Sequence, residues 1–234
     1  MTTPAIEESL TRAEQAVAGD EGLSGTGFWQ AVSVVKRQPE LADRYADRIA
    51  AIDERAHRSW ALLVIPLGVG TALAIAATLA GLALIWWSYA LEGGAAVVVF
   101  LMGFVVLAAS THALAHFVVG RILGIRFSYW FVGEVTQPQP GVKVDYSTYL
   151  RTGASKRAWM HASGALVTKA LPFLLIGAAI AADLPVWVPW LLAGLGAGMI
   201  ATDVLWSTKA SDWKKFRREM KIAQDSVRGI DPSV

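Results

Sequence analysis

At 234 residues, with 54% hydrophobic residues, ten tryptophans and a mean hydropathy of +0.44, the chain is too apolar for an ordinary soluble domain and long enough for several membrane crossings. A net charge of +2 singles out no class of charged partner, and no nucleic acid is expected. The absence of cysteine excludes disulfides, thiolate metal sites and cysteine nucleophiles, and leaves the redox compartment open.

Residues 1–59 are largely polar, show no signal-peptide pattern, and read as a cytoplasmic N-terminal segment with two or three helical stretches. Glycine and small polar residues from Gly19 to Gly27 interrupt the periodicity and predict a flexible linker. From Pro39 onward, Leu41, Tyr45, Ile49 and Ile52 recur at helical spacing among Asp43, Arg44, Asp47, Arg48, Asp53, Glu54 and Arg55. That pattern is an amphipathic helix running towards the membrane, with His57 on its charged surface.

Four apolar runs follow: Trp60 to Trp87, Gly94 to Val119, about Ala158 to Ala182, and about Val186 to Trp206. Each reaches the roughly 20 helical residues that a hydrocarbon core needs. Trp60, Trp86, Trp87, Trp159, Trp187, Trp190 and Trp206 fall close to the predicted span ends, where indole rings prefer the interface. Residues 60–208 are thus expected to form a four-helix transmembrane domain, and residues 209–234 a cytoplasmic basic amphipathic helix and tail. Lysine and arginine precede the first span, fill the connection between the second and third, and follow the fourth, while the other two connections carry none. By the positive-inside rule this is a multi-pass protein of the cell membrane with both termini cytoplasmic.

The connection from Ile125 to Arg157 is not helical in pattern. Ile125, Phe127, Tyr129 and Phe131 alternate, as do Val142, Val144 and Tyr146, with Pro138-Gln139-Pro140-Gly141 between them, which predicts a β-hairpin. The expected fold class is an all-α membrane protein of four transmembrane helices with a membrane-associated β-hairpin between the second and third. An exposed edge of such a hairpin can hold an extended segment by strand addition, which makes Phe127, Tyr129 and Phe131 candidate substrate-binding residues; an ordinary interfacial hairpin is the alternative.

The second span carries His112 and His116 near its cytoplasmic end, five residues before Arg121 in the case of His116. Histidines four apart share one helix face and can offer two imidazole nitrogens to one metal ion, and ionisable groups at membrane depth are costly enough to suggest a task. The alternative is that each imidazole hydrogen-bonds a neighbouring helix. A third ligand at similar depth comes from Asp203, Asp212 or, with less support, His161. Depth favours Asp203, whereas Asp212 requires the preceding segment to fold back. Structural roles are open to both acids, since Asp212 suits a helix N-cap and Asp203 suits an ion pair with Lys169.

Three segments together resemble the site-2 proteases, zinc metalloproteases that cut within or next to transmembrane segments. His112-Ala113-Leu114-Ala115-His116, followed by Arg121-Ile122-Leu123-Gly124-Ile125, resembles the family's H-E-x-x-H helix and the start of its hairpin. Ala162-Ser163-Gly164-Ala165-Leu166-Val167-Thr168 is similar to a small-residue motif on the next core helix, and the stretch from Asp203 to Trp213 is similar to the segment carrying the third zinc ligand. The resemblance covers roughly residues 94–215. It implies Zn2+ as cofactor, His112, His116 and Asp212 as ligands, the lipid bilayer as surroundings and a transmembrane segment of a membrane protein as substrate.

The departures are specific. The proline and asparagine of the second motif are absent, Asp203 replaces an asparagine in the third, Trp213 stands where glycine is usual, and the spacing is one residue long. Above all, Ala113 occupies the position of the motif glutamate, which in the family accepts a proton from the water that zinc activates. Losing a general base typically costs about 10² to 10⁴ in rate, so the chain as written is expected to keep its metal ligands and lose hydrolysis. The alanine fits a glutamate removed to trap a protease, which is favoured because ligands and surroundings persist, or a natural pseudoprotease that binds without cutting.

Overall fold

The computed structural model describes residues 1–134, 140–205 (backbone alone at 204) and 211–228. Its elements in chain order are α1 Thr3–Ala18, α2 Phe28–Val35, α3 Pro39–Trp60, β1 Leu63–Pro66, α4 Leu67–Ser88, α5 Gly93–Ile122, β2 Phe127–Val132, β3 Pro140–Val144, α6 Tyr146–Arg151, α7 Ala154–Ala181, α8 Trp187–Leu205 and α9 Asp212–Val227. They belong to two compact units, Met1–Leu67 with Gly120–Ala158 and Arg218–Val234, and Gly68–Val119 with Trp159–Arg217.

In the first unit, α1 buries Ile6, Leu10, Ala13 and Val17, and α3 buries Ala42, Tyr45, Ala46, Ile49 and Ile52, so the periodic stripe of each helix is its core face. Between them the chain turns at Gly27, which has φ 81° and would place a Cβ 2.8 Å from Ser9 Oγ, so only glycine fits. Arg48 of α3 reaches Glu7 at 2.5 Å and Glu14 at 2.7 Å, tying the charged flanks of α1 and α3.

The strands form one antiparallel sheet in the order β1-β2-β3. Two expectations change here. Trp60 to Pro66 is not the start of the first span: α3 ends at Trp60, and Leu63, Val64, Ile65 and Pro66 pair with Val132, Phe131, Trp130 and Tyr129. The cause is local, since β-branched Val64 and Ile65 favour extended backbone and the residue before a proline is pushed out of the helical region. Pro66 is tolerated because β1 is an edge strand. Consequently β2 is the central strand, and its backbone is engaged on both sides rather than open for strand addition.

Phe127 and Tyr129 are buried, and Phe131 lies over Gly141, where a Cβ would come within 2.7 Å of its ring. The expected turn residues Pro138 and Gln139 lie outside the described residues. The second change is α6, a short helix within a connection expected to contain none. Asp145 caps it by accepting from the Ser147 amide at 3.0 Å, and Tyr146, expected in the second strand, is its first residue.

In the second unit, α4, α5 and α7 are long and apolar enough to cross a membrane. Only 22–33% of their apolar windows is buried, and Leu73, Leu79, Val105 and Leu174 face outward as residues suited to lipid do. The interior is Ile85, Val97, Phe100, Leu107, Leu175, Val188 and Leu192. Helices α4 and α5 approach through Gly81 and Gly103: a Cβ on Gly103 would lie 2.9 Å from the Gly81 carbonyl oxygen. Helix α8 has 19 residues, roughly 28 Å of rise, and carries Asp203 near its end.

Candidate metal centre

The site is assembled within the second unit, and it begins on α5. Ser110 accepts a hydrogen bond from Thr78 of α4 at 3.0 Å, which fixes the rotation of α5 just before the histidines. Two turns of α7 then face the imidazoles. His116 Nδ1 lies 2.7 Å from the Met160 carbonyl oxygen and must donate to it, because a carbonyl only accepts. One turn on, Gly164 leaves room for the ring itself: a Cβ there would lie 2.4 Å from His116 Nε2. A further turn on, Thr168 donates its hydroxyl proton to the Gly164 carbonyl at 2.9 Å, so its lone pair accepts from His112 Nδ1 at 2.8 Å. The network thereby assigns the Nδ1–H tautomer to both rings and leaves both Nε2 lone pairs for the centre of the site.

Those lone pairs converge on Asp212. Oδ2 lies 3.2 Å from His112 Nε2 and 3.1 Å from His116 Nε2, and the ligand atoms of the three residues all lie within 4.8 Å of one another. Tetrahedral ligands about 2.0–2.1 Å from one zinc ion are separated by about 3.3–3.4 Å, so the two spacings from Asp212 to the histidines are close to those of a filled site. Facing acceptors at this distance repel unless positive charge lies between them, either protons on the imidazoles or a metal ion. Burial by itself raises the Asp212 carboxyl, but with the imidazoles protonated the hydrogen bonds from His112 and His116, the charge of His116 and that of Lys215 outweigh it and hold it well below the usual carboxylate range. Lys215 binds the other oxygen, Oδ1, at 3.0 Å, which leaves Oδ2 as the single ligand atom.

Asp212 reaches the site from the first turn of α9, whose amides at Lys214 and Lys215 bond the Ser211 carbonyl at 3.1 Å. Trp213 stacks on Phe216 with centroids 5.1 Å apart, and Phe216 meets Trp159 of α7 at 5.6 Å, so Phe216, backed by Trp213, packs the start of α9 onto α7. Asp203 is drawn elsewhere, into an ion pair with Lys169 of α7. Ala113 is buried on α5, about 100° around the helix from His112. Among the described residues the cluster comprises His112, His116 and Asp212, without His161. Phe127, Tyr129 and Phe131 belong to the first unit.

The outer contacts of Met160, Gly164, Thr168 and Lys215 were not assigned from sequence. The signal available was the i, i+4, i+8 repeat of Met160, Gly164 and Thr168 along one helix face. No family profile, curated protein or solved structure matches the chain. What the geometry establishes is a His-His-Asp cluster able to coordinate a metal ion, carried by a largely helical scaffold with membrane-length helices.

Proposed function

We propose that this chain is the scaffold of a zinc-dependent intramembrane endopeptidase of the site-2 protease type, acting on peptide bonds in or near transmembrane segments, and that Ala113 leaves it without the general base. The observation that carries the reading is the convergence of both Nε2 atoms on Asp212 Oδ2, each ring oriented by an outer hydrogen bond. Two imidazoles and one carboxylate suit zinc, and three protein ligands leave a fourth position for reactants. The exposures agree with an opening on one side, since the His112 side chain is 38% exposed against 14% for His116.

Zinc supplies Lewis-acid activation of water and of the scissile carbonyl when bound. The chain's own residues hold the geometry: Met160 and Thr168 fix the imidazole tautomers, and Lys215 fixes the carboxylate. Proton transfer is the missing function, because the methyl of Ala113 neither accepts a proton nor returns one to a leaving amine. In this reading α8 is a fourth crossing, both termini are cytoplasmic, and an extended substrate adds to edge strand β1 or β3 rather than to β2. A second reading, a binder of membrane-protein segments without hydrolysis, is favoured by the buried, packed setting of Ala113.

Ala113→Glu, reconstituted with zinc and single-span membrane substrates, separates the two. The protease reading expects cleavage about 10² to 10⁴ faster than the parent chain, abolished by adding His116→Ala. Zinc held through the histidines with no cleavage of any substrate overturns it, and stoichiometric substrate capture in that case supports the binder.

A further inference from the structure

One ion pair lies within the helical bundle of the second unit, and the site described above does not use it directly. Lys169 of α7 pairs with Asp203 Oδ2 of α8, and its Nζ also donates to the Ala165 carbonyl at 3.3 Å. Charges between membrane helices are costly, and where they occur they mark functional positions. The other carboxylate oxygen shows what this pair does. Asp203 Oδ1 accepts from Ser211 Oγ at 3.4 Å, and Ser211 immediately precedes Asp212. A side-chain hydrogen bond therefore closes the connection between α8 and α9 at its two ends. Ser211 also supplies the carbonyl that starts α9.

Helix α7 now accounts for all three candidate ligands. Met160 and Gly164 position His116, Thr168 positions His112, and the next residue, Lys169, reaches Asp212 through Asp203 and Ser211. We propose that Lys169 and Asp203 are positioning residues, a latch that fixes the residue before Asp212 and so presents its carboxylate to the histidines. The inference rests on the metal reading of the site and extends it to a residue pair outside the ligand set. It also gives a reason for a charged pair where two apolar residues of similar size would pack at lower cost.

The test is zinc affinity, measured by competition with a chelating indicator on the full chain in detergent, beside the thermal midpoint of the zinc-free protein. Lys169→Met/Asp203→Leu removes both charges together, so neither is left unpaired in the bundle. The latch expects zinc affinity about 10- to 100-fold weaker, as for other outer contacts of metal ligands, with the zinc-free midpoint unchanged or raised. Lys169→Arg, which keeps the pair, should bind zinc within about threefold of the parent. A pair that serves only packing leaves zinc affinity unchanged in the double variant, and that result overturns the latch. If the double variant does not fold, Ser211→Ala decides: it keeps the ion pair and should still weaken zinc several-fold, and parental affinity overturns the proposal. Failure of the metal reading is distinguishable, because then the parent chain itself binds no zinc that His116→Ala abolishes.

Discussion

A carboxylate at the centre of a polar cluster in each unit is neutralised in a different way, by cations around buried Glu219 and by imidazoles around partly buried Asp212. In the first unit Glu219, fully buried, lies between Lys36 and Arg157, with Arg157 Nε 2.8 Å from it. The remaining Arg157 nitrogens bond the carbonyls of Thr152 at 2.6 Å and Lys36 at 3.1 Å, and Asp53 pairs with Lys143. Burial raises the Glu219 carboxyl, but Lys36 and Arg157 outweigh it and hold it below its ordinary value. Burial lowers Lys36 to about 8, which leaves it charged at neutral pH. In the second unit, Asp212 Oδ2 faces two imidazoles whose outer nitrogens are already committed as donors. The first arrangement is electrostatically closed by lysine and arginine, whereas the second leaves Oδ2 to be balanced by protons on the imidazoles or by a metal ion.

The comparison is broken most strongly by opening the closed network. Glu219→Ala strands Lys36 and Arg157 in a buried setting, and such a change costs about 3–5 kcal/mol. Denaturation in detergent, run with zinc and with a chelator, should show a loss of that size that zinc does not repair. A loss below about 1 kcal/mol would mean that water reaches these ions, and the contrast with the metal cluster would fail.

The two regions also differ in how much of them could be read from the sequence. The stripe of α3 and the histidine pair are local patterns, and local patterns survive folding: Tyr45, Ile49 and Ile52 are core, and His112 and His116 share a face. Strand β1 was hidden because Leu63, Val64 and Ile65 are apolar inside an apolar run, where hydropathy does not separate strand from helix, and because its partner β2 is more than sixty residues away. The cap at Asp145 was a local signal for α6 within a stretch read only for alternation. For Asp203 and Asp212, depth along a helix was the wrong coordinate. Asp203 is at the favoured depth, but Lys169 lies opposite and takes it, while Asp212 reaches the histidines from the next helix.

Smaller perturbations sharpen the open site. Gly164→Ala places a methyl against the His116 ring, which must move, and zinc affinity should fall towards 100-fold. Thr168→Val is nearly isosteric and removes the hydroxyl that accepts from His112 Nδ1 and donates to the Gly164 carbonyl, for which about tenfold is expected, with Thr168→Ser close to the parent. Zinc titration of the three variants gives the order. If Thr168→Val were the more damaging, tautomer control would outweigh ring placement.

The smallest effect returns to the first unit and is read through pH. His57 packs against Phe131 with centroids 4.4 Å apart and lies with Nδ1 3.1 Å from the Tyr129 hydroxyl. Burial, with the charge of Lys143 adding to it, lowers His57 to about 4. The folded state thus binds its proton less readily than the unfolded chain, whose histidine titrates near 6.5. By linkage, the stability contributed by neutral His57 is fully present above pH 6.5 and is lost as pH falls towards 4. Solvent reaches the half-buried ring, so the size to expect is about 1 kcal/mol rather than the full shift. His57→Gln keeps a polar group near Tyr129 and removes the titration. Subtracting its stability curve from the parent's, both in chelator, isolates His57 from the histidines of the metal cluster. A difference that declines between pH 6.5 and 4 assigns the acid response to the closed region. A flat difference means that the ring is already solvated, and that the acid response of the first unit lies with groups other than His57.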